Sequence, residues 1–528
     1  MISILRNLSF AVLLASLAYG AADGTISGTV KDAAGAPFKG AFVRARNVKT
    51  KITVDVLSDS QGRYRASNLP PGEYEVRATA VGHQDDQHTG VKLAAGESAS
   101  LDFALQNGTV RWNELTKYQG ERLLPSGKGK DLLMSNCFEC HHFQSRMATT
   151  PRDEAGWRAR INYMRETEGY RREVNSLNDQ QFDEIVAYLT KYFGPNSNLP
   201  SPADLPGYKE TVRTFPDEAM KIVYVDYEMP GPNRYPFSAA PAKDGYFWIP
   251  YFGRANQIGR LDPATGEVQE FPVPNKGTAG IHSAVPSPDG TVWAAEQGSG
   301  KLAMWDPTTR TVNEFPDPGL RTPDGTLARG KHTVRVDLAG RVWSSGVVSM
   351  FDPKTKEYAH FPDAPSAYGI VLDTAGNAWF TEYPKQNGQF GRVDGKTGKV
   401  TRYDTPTPNA GPRRIQIASD GMIWFAEYKV GKIARFDPKT ETFKEYPLPG
   451  PSPTPYAFEI DSQGRLWYSS FDMDTVGCLD PRTGKVIEYP FPYRENTMRE
   501  FFRDSQGRMW FGTPANNKVG YFIPPTGS

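Results

Sequence analysis

The stretch DGMIWFAEYKVGKIARFDPKTETFKEYPLP, from Asp420 to Pro449, decides the fold of the C-terminal part of this chain. It combines a Gly-x-x-Trp segment, a turn that begins with Asp437, and a closing strand, FKEYPLP. The same pattern recurs about every 45 residues, with its tryptophan at positions 248, 293, 343, 379, 424, 467 and 510. A period in the forties with several short strands per unit predicts a β-propeller.

Seven such units lie within residues 206–528, so we predict a seven-bladed propeller there. The last unit ends at KVGYFIPP and lacks a closing strand. Residues Met220–Pro232, MKIVYVDYEMPGP, have the pattern of that missing strand. A ring closed by strands from both ends leaves no open sheet edge. We expect the seven repeated tryptophans to be packing residues between the sheets.

The composition indicates a globular protein and excludes some partners. Of the 528 residues, 38% are hydrophobic and 23% are charged. The 61 basic and 60 acidic residues leave no basic surplus, which argues against nucleic-acid binding. Three cysteines are too few for a disulfide scaffold in a chain of this length.

Residues 1–22 have the pattern of a signal peptide. Arg6 supplies a positive charge, and the apolar run LSFAVLLASLAYG from Leu8 to Gly20 ends in small residues. The run is too short to span a membrane, and we expect no transmembrane segment after its removal. We therefore predict a periplasmic or otherwise exported protein, with an uncleaved N-terminal anchor as the alternative.

Residues 23–106 alternate apolar and polar side chains between Gly- and Pro-rich turns, which predicts a small β-sandwich. The runs Gly28–Val43 and Gly62–Gly82 resemble the carboxypeptidase regulatory-like domain family. The resemblance covers the whole region. It implies a non-catalytic module of carbohydrate-binding-like fold, and a glycan is therefore a possible partner.

Residues 120–195 change to helical periodicity around the sequence NCFECHHF. Cys137, Cys140 and His141 form a C-x-x-C-H motif, which is typical of covalent haem c attachment. A structural zinc site would need more ligands, and the third cysteine, Cys478, lies far away in the propeller. A redox dithiol would be expected in a βαβ context instead. Export favours the haem interpretation over both alternatives.

This region also resembles the class I single-haem cytochrome c domain over about 75 residues. The resemblance implies one haem whose iron is bound by His141 and by a methionine. The segment WRARINYM favours Met164 for that ligand over Met147, which follows His141 too closely to reach the opposite face. His142 is not expected to touch iron. Methionine ligation favours an electron relay, with a donor or acceptor protein as partner.

Two sets of positions in the repeat predict a polar funnel at the propeller axis. The first lies eight residues before each repeat glycine and comprises Phe237, His282, His332, Tyr368, Arg413, Tyr456 and Arg499. The second lies three residues after each tryptophan and includes Tyr251, Glu296, Glu382 and Glu427. We expect both sets to face the same funnel and to hold a small-molecule ligand there. Pairing across blades, as between Arg413 and Glu427, is the alternative.

The repeat resembles the virginiamycin B lyase family over nearly all of Asp226–Pro525. The resemblance implies a seven-bladed propeller and an elimination reaction that uses Mg²⁺ and a histidine base. In this sequence only His282, Glu296 and His332 are similar to that catalytic set. Blades five and six depart from it, with Arg413 and Tyr456 at the family's histidine positions.

The sequence thus predicts a mainly β, multidomain chain: a β-sandwich, a small helical cytochrome c domain and a seven-bladed β-propeller. Three functions stay open. The first is a haem electron relay that serves redox chemistry or ligand binding at the funnel. The others are a Mg²⁺-dependent lyase, and a protein that binds glycans or a macromolecular partner.

Overall fold

The computed structural model describes residues 23–138, 142–167, 177–320, 330–383 and 389–525. The signal-peptide prediction for residues 1–22 therefore lies outside the described residues. Within them, no helix is long and apolar enough to cross a membrane.

The N-terminal domain is built from two β-sheets around one apolar core. Its strands are β1 Gly24–Asp32, β2 Phe42–Asn47, β3 Thr53–Leu57, β4 Arg63–Leu69, β5 Gly72–Thr79, β6 His83–Gln84, β7 Asp86–Leu93, β8 Ser98–Ser100 and β9 Phe103–Asn107. One sheet has the order β4-β1-β9-β6 with β8 beside β1, and the other contains β3-β2-β5-β7. Alternate residues such as Val43, Val76 and Phe103 are buried between the sheets, as the sequence pattern predicts.

A helical domain follows. Its helices are α1 Lys117–Leu123, α2 Lys128–Asn136, α3 Glu154–Thr167 and α4 Asp179–Phe193, with a π-helical turn at Gln144–Ala148 and a short helix α5, Tyr208–Thr211, beyond it. Asn178 caps α4 by accepting a hydrogen bond from the Gln181 amide at 2.9 Å. The apolar face of α4 packs against α2 and α3, and Trp157 of α3 is 2% exposed in this core.

Seven four-stranded antiparallel sheets follow in a ring. Blade one contains β11 Ala240–Pro241, β12 Phe247–Pro250, β13 Gln257–Leu261 and β14 Val268–Pro272, and blade two contains β15 Ile281–Pro286, β16 Val292–Glu296, β17 Leu302–Asp306 and β18 Thr311–Phe315. Blade three contains β19 Val334–Val336, β20 Val342–Ser344, β21 Ser349–Asp352 and β22 Glu357–His360, and blade four contains β23 Ile370–Leu372, β24 Ala378–Glu382, β25 Gln389–Val393 and β26 Val400–Asp404. Blade five contains β27 Pro412–Ile417, β28 Ile423–Glu427, β29 Lys432–Asp437 and β30 Thr442–Pro447, and blade six contains β31 Pro455–Ile460, β32 Leu466–Ser470, β33 Thr475–Leu479 and β34 Val486–Pro490.

The seventh blade closes the ring as the sequence predicts. It contains β35 Phe502–Arg503, β36 Met509–Thr513 and β37 Lys518–Ile523 from the C-terminus, and β10 Val223–Glu228 from the start of the region. Strand β10 pairs with β37 in antiparallel register, from Val223 opposite Ile523 to Glu228 opposite Lys518.

The seven repeated tryptophans are all buried between the sheets, so the packing role predicted for them is confirmed. Several are also tied to the preceding turn through an aspartate six residues earlier. In blade six the Trp467 Nε1 donates to Asp461 Oδ2 at 2.9 Å, and the same carboxylate accepts from the Arg465 side chain. The repeated Asp-to-Trp spacing therefore fixes the turn as well as the core.

The sandwich and the propeller share one sheet, a feature that the sequence pattern does not predict. Strand β3 pairs with β10, so the β3-β2-β5-β7 sheet continues blade seven. A polar cluster supports this junction: Arg44 binds Asp55 at 2.8 Å, and both Lys518 and the Tyr493 hydroxyl bind Asp226 at 2.6 Å. The edge that β10 would otherwise expose is covered.

Candidate functional site

Seven side chains, one from each blade, meet where the innermost strands begin. We call them the axial ring: Phe237, His282, His332, Tyr368, Arg413, Tyr456 and Arg499. The rings of His282 and His332 lie 3.6 Å apart between centroids, and those of His332 and Tyr368 lie 4.2 Å apart. Phe237 makes an edge contact with His282 at 4.9 Å.

The arginines complete this ring. Arg413 Nη1 donates to the Tyr368 hydroxyl at 3.3 Å, and its guanidinium carbon lies 4.2 Å from the centroid of the Tyr456 ring. Arg499 Nη1 donates to the Tyr456 hydroxyl at 2.9 Å, and its guanidinium packs 4.9 Å from Phe237. Neighbouring blades thus connect through these side chains in a closed circle. Their common position in the repeat brings them together, while their role in binding stays a prediction.

The second predicted set lies at the end of the second strand of each blade, and its orientation toward the funnel stays a prediction. Glu296 lies opposite Ile281, the residue before His282, and Glu427 lies opposite Pro412, the residue before Arg413. On the outer side, Glu382 binds Arg402 of β26 at 3.2 Å.

Burial changes the chemistry of two of these carboxyl groups. Burial, together with the negative charge of Glu445, raises the pKa of Glu427 to about 8. Burial also raises the pKa of Glu296, against the hydrogen bond from Ser299. Each of the two glutamates belongs to a group of two acids and one lysine within its blade. Beside Glu427, Lys432 binds Glu445 at 2.5 Å, and beside Glu296, Lys301 binds Glu314 at 2.6 Å. The strand register places Glu296 opposite Ile281, one residue from His282.

Below the axial ring, a buried arginine that the sequence analysis missed crosses the channel. Arg414 Nη1 donates to Thr333 Oγ1 of blade three at 2.8 Å, and its Nε donates to the Arg499 carbonyl of blade seven at 2.6 Å. Glu500 lies 3.6 Å from it and 2.7 Å from Arg335. This network forms a floor under the ring. Its only sequence signal is that each member follows a ring position by one to three residues.

The helical domain docks on blade six and on the loop that leads to blade seven. Lys117 binds Asp472 at 3.0 Å, and the Tyr118 amide donates to the Asp472 carbonyl at 2.9 Å. The Arg494 Nε donates to the Glu114 carbonyl at 2.6 Å. The contact is therefore fixed by charged and backbone groups from both domains.

This docking places His142, the residue that follows the C-x-x-C-H motif, near the axial ring. His142, which directly follows the motif, donates its amide to Glu495 at 3.2 Å, and its ring lies 6.2 Å from the Phe471 ring. Phe471 in turn stacks on the ring member Tyr456 at 4.3 Å. A continuous series of packed aromatic side chains, His142, Phe471 and Tyr456, therefore connects the residue after the motif to the axial ring.

Of the predicted haem ligands, Cys140 and His141 lie outside the described residues. Cys137 ends α2 and is half-buried, and Met164 in α3 is also half-buried. Met147 instead belongs to the helical core. Within the described ranges, no group of three or more His, Cys, Asp or Glu side chains is placed to hold a metal ion.

Two features of the described residues near the motif are ones that a haem would use. Phe143, Met147 and Trp157 are buried in an apolar core that also contains Phe138, the residue after Cys137. The Trp157 Nε1 is buried and has no hydrogen-bond acceptor among the described residues. A flat apolar group with polar edge substituents would satisfy both features.

Comparisons with known proteins support the two β-regions. The carboxypeptidase regulatory-like domain model matches residues 25–106, and the virginiamycin B lyase family model matches residues 353–527. Neither range includes the helical domain. No curated protein matches the chain in sequence.

Solved structures show the propeller fold. A streptogramin B lyase is 24% identical, with a TM-score of 0.52 over 58% of this chain and 99% of the lyase. The virginiamycin B lyase from Staphylococcus aureus is 22% identical, with a TM-score of 0.52 over 58% of this chain and all of the lyase. The chain is therefore mainly β and multidomain, with a sandwich-like N-terminal domain and a propeller like that of these lyases.

Proposed function

We propose that this protein is an exported c-type cytochrome whose haem domain is docked on the axial ring of a lyase-like propeller. In this proposal the haem serves redox chemistry or ligand binding at the ring. The observation that carries it is the packing of His142, the neighbour of the C-x-x-C-H motif, on Phe471 and so on Tyr456.

The cofactor would be held by residues of the helical domain. Cys137 and Cys140 would form the two thioether bonds, and His141 and Met164 would bind the iron. When bound, haem c supplies one-electron redox chemistry.

The chain's own residues would have separate tasks. Phe138, Phe143 and Trp157 would exclude water from the haem through the apolar core to which they belong. The pair Lys117–Asp472 holds the helical domain in place over the ring. Ring donors such as Arg413 and the tyrosine hydroxyls would orient a small polar ligand.

The wider partners follow from the same proposal. A covalent haem and the apolar N-terminal stretch both favour an exported, periplasmic location. An electron donor or acceptor protein would then exchange electrons with the haem. The sandwich would contribute surface or glycan binding, as its family resemblance implies.

A Mg²⁺-dependent lyase is the second candidate, favoured by the propeller fold and by the contact of His282 with His332. Two features of the ring weigh against it. Glu296, the acid of the candidate set, accepts from Ser299 in its own blade. Arg413 and Tyr456 occupy the blades where the resemblance calls for histidine.

A reductive titration of the full chain separates the two candidates. The relay proposal expects a haem that candidate donors reduce rapidly, and a haem that no donor reduces would refute it. Incubation of the same protein with streptogramin B and Mg²⁺ should leave the lactone unchanged. Opening of the lactone would establish the lyase instead.

A further inference from the structure

Three arginines gather on one side of the helical domain, near blade one. The guanidinium of Arg146 lies 5.2 Å from the ring centroid of Tyr235, which precedes blade one. Arg160 lies 4.7 Å from the ring of Tyr163, and Arg152 lies 4.9 Å from the ring of Trp157. We call Arg146, Arg152 and Arg160 the arginine cluster. All three are half-buried.

No acid neutralises this cluster within the part of the chain that the structure describes. Arg152 Nη1 donates only to the carbonyls of Arg146 and Thr150, both at 2.9 Å. Arg158 on the same helix offers a contrast, because it binds Asp183 at 2.7 Å and Glu154 at 3.3 Å. Burial lowers the pKa of Arg160, and the charges of Arg146 and Arg152 lower it further. The three like charges therefore destabilise one another.

Two buried N–H groups beside the cluster also lack an acceptor among the described residues. They are the Nε of Arg146 and the Nε1 of Trp157, a side chain that is only 2% exposed. A buried donor without an acceptor costs free energy. An oxyanion bound at this place would neutralise the arginines and accept hydrogen bonds from the two unsatisfied donors.

We propose that the arginine cluster and the Trp157 indole bind an oxyanion, either a carboxylate or a phosphate. Trp157 belongs to the same apolar core as Phe143 and Met147, and this core also contains Phe138, the residue after Cys137. The oxyanion has two possible sources, the carboxylates of a covalent haem or a small free anion. Only the first source rests on the proposed function.

The test uses the full chain, prepared with and without haem attachment. Inorganic phosphate is titrated by calorimetry into the wild type and into Arg146→Gln and Arg160→Gln. Arg158→Gln serves as the matched control on the same helix, and circular dichroism checks that every variant folds. We expect the haem-free chain to bind phosphate, each cluster variant to bind about tenfold more weakly, and the control to bind as the wild type.

The haem-bearing chain distinguishes the two sources. If haem carboxylates fill the site, phosphate no longer binds, and both cluster variants lower the haem reduction potential while the control does not. If a free anion is the ligand, phosphate binds with or without haem, and the variants weaken it equally. The proposal is overturned if cluster variants match the control in phosphate binding and in reduction potential. Failure to attach haem would refute the proposed function, but the phosphate titration would still decide the oxyanion site.

Discussion

Replacement of Glu427 by glutamine should change how the stability of the propeller depends on pH. Glu427 is fully buried at the end of β28, and neither of its carboxylate oxygens has a hydrogen-bond partner among the described residues. Burial and the nearby charge of Glu445 raise its pKa from 4.5 to about 8. The folded chain therefore holds a proton on this group between about pH 4.5 and 8 that the unfolded chain has lost.

The sign and size of the effect follow from this shift. Because the folded state binds more protons, the free energy of unfolding falls as the pH rises through this window. A rise of this pKa from 4.5 to about 8 changes the free energy of unfolding by at most about 5 kcal/mol across the window. Glu427→Gln keeps the shape of the neutral acid, so it should match the wild type near pH 5 and be more stable at pH 8.

Urea unfolding followed by tryptophan fluorescence between pH 5 and 8 would measure this difference. Glu445→Gln provides a comparison of opposite sign, because its pKa, which burial alone would raise, is lowered by the hydrogen bond from Lys432. That variant should lose stability above pH 5. Equal pH slopes for Glu427→Gln and the wild type would refute the assignment of a buried, neutral Glu427.

Three further substitutions test the helical domain and its docking. A Cβ on Gly120 would lie 2.0 Å from Phe143, so Gly120→Ala should destabilise this domain by about 1–3 kcal/mol. Hydrogen exchange in α2 and α4 would measure this loss, and unchanged exchange would contradict the packing of Gly120 on Phe143. Asp472→Asn leaves Lys117 without one of its buried partners and should speed exchange of α1 while leaving the outer strands of blade three unchanged; a uniform change across the chain would argue against local undocking. Asn178→Ala removes the cap of α4 and should cost about 1 kcal/mol in thermal unfolding of the domain, and no loss would show that the cap is dispensable.

The repeat allowed much of the propeller to be predicted because its period converts directly into position. A residue eight positions before each glycine falls within three residues of the start of the innermost strand in all seven blades, so His332 and Arg413 could be assigned to one ring from spacing alone. The same spacing puts Glu427 at the end of the second strand of its blade, but it gives the strand and the level and not the direction of the side chain. That direction depends on which face of a twisted sheet each residue occupies.

The contacts between domains could not be predicted, because they join segments far apart in the sequence. Strand β3 pairs with β10, the outermost strand of blade seven, and neither strand has a sequence pattern that would reveal this pairing. The contact of His142 with Phe471 joins residues more than 300 positions apart. Such contacts depend on surface shape and charge, and hydrophobic periodicity gives no information about either.

We propose that the helical domain carries a covalent haem near the axial ring. A pyridine haemochrome spectrum of the full chain, produced with the c-type haem attachment machinery, tests it most directly. We expect one haem per chain with the spectrum of two thioether bonds, and loss of that haem in the Cys137→Ser, Cys140→Ser double variant. A folded chain without covalent haem under those conditions would contradict it.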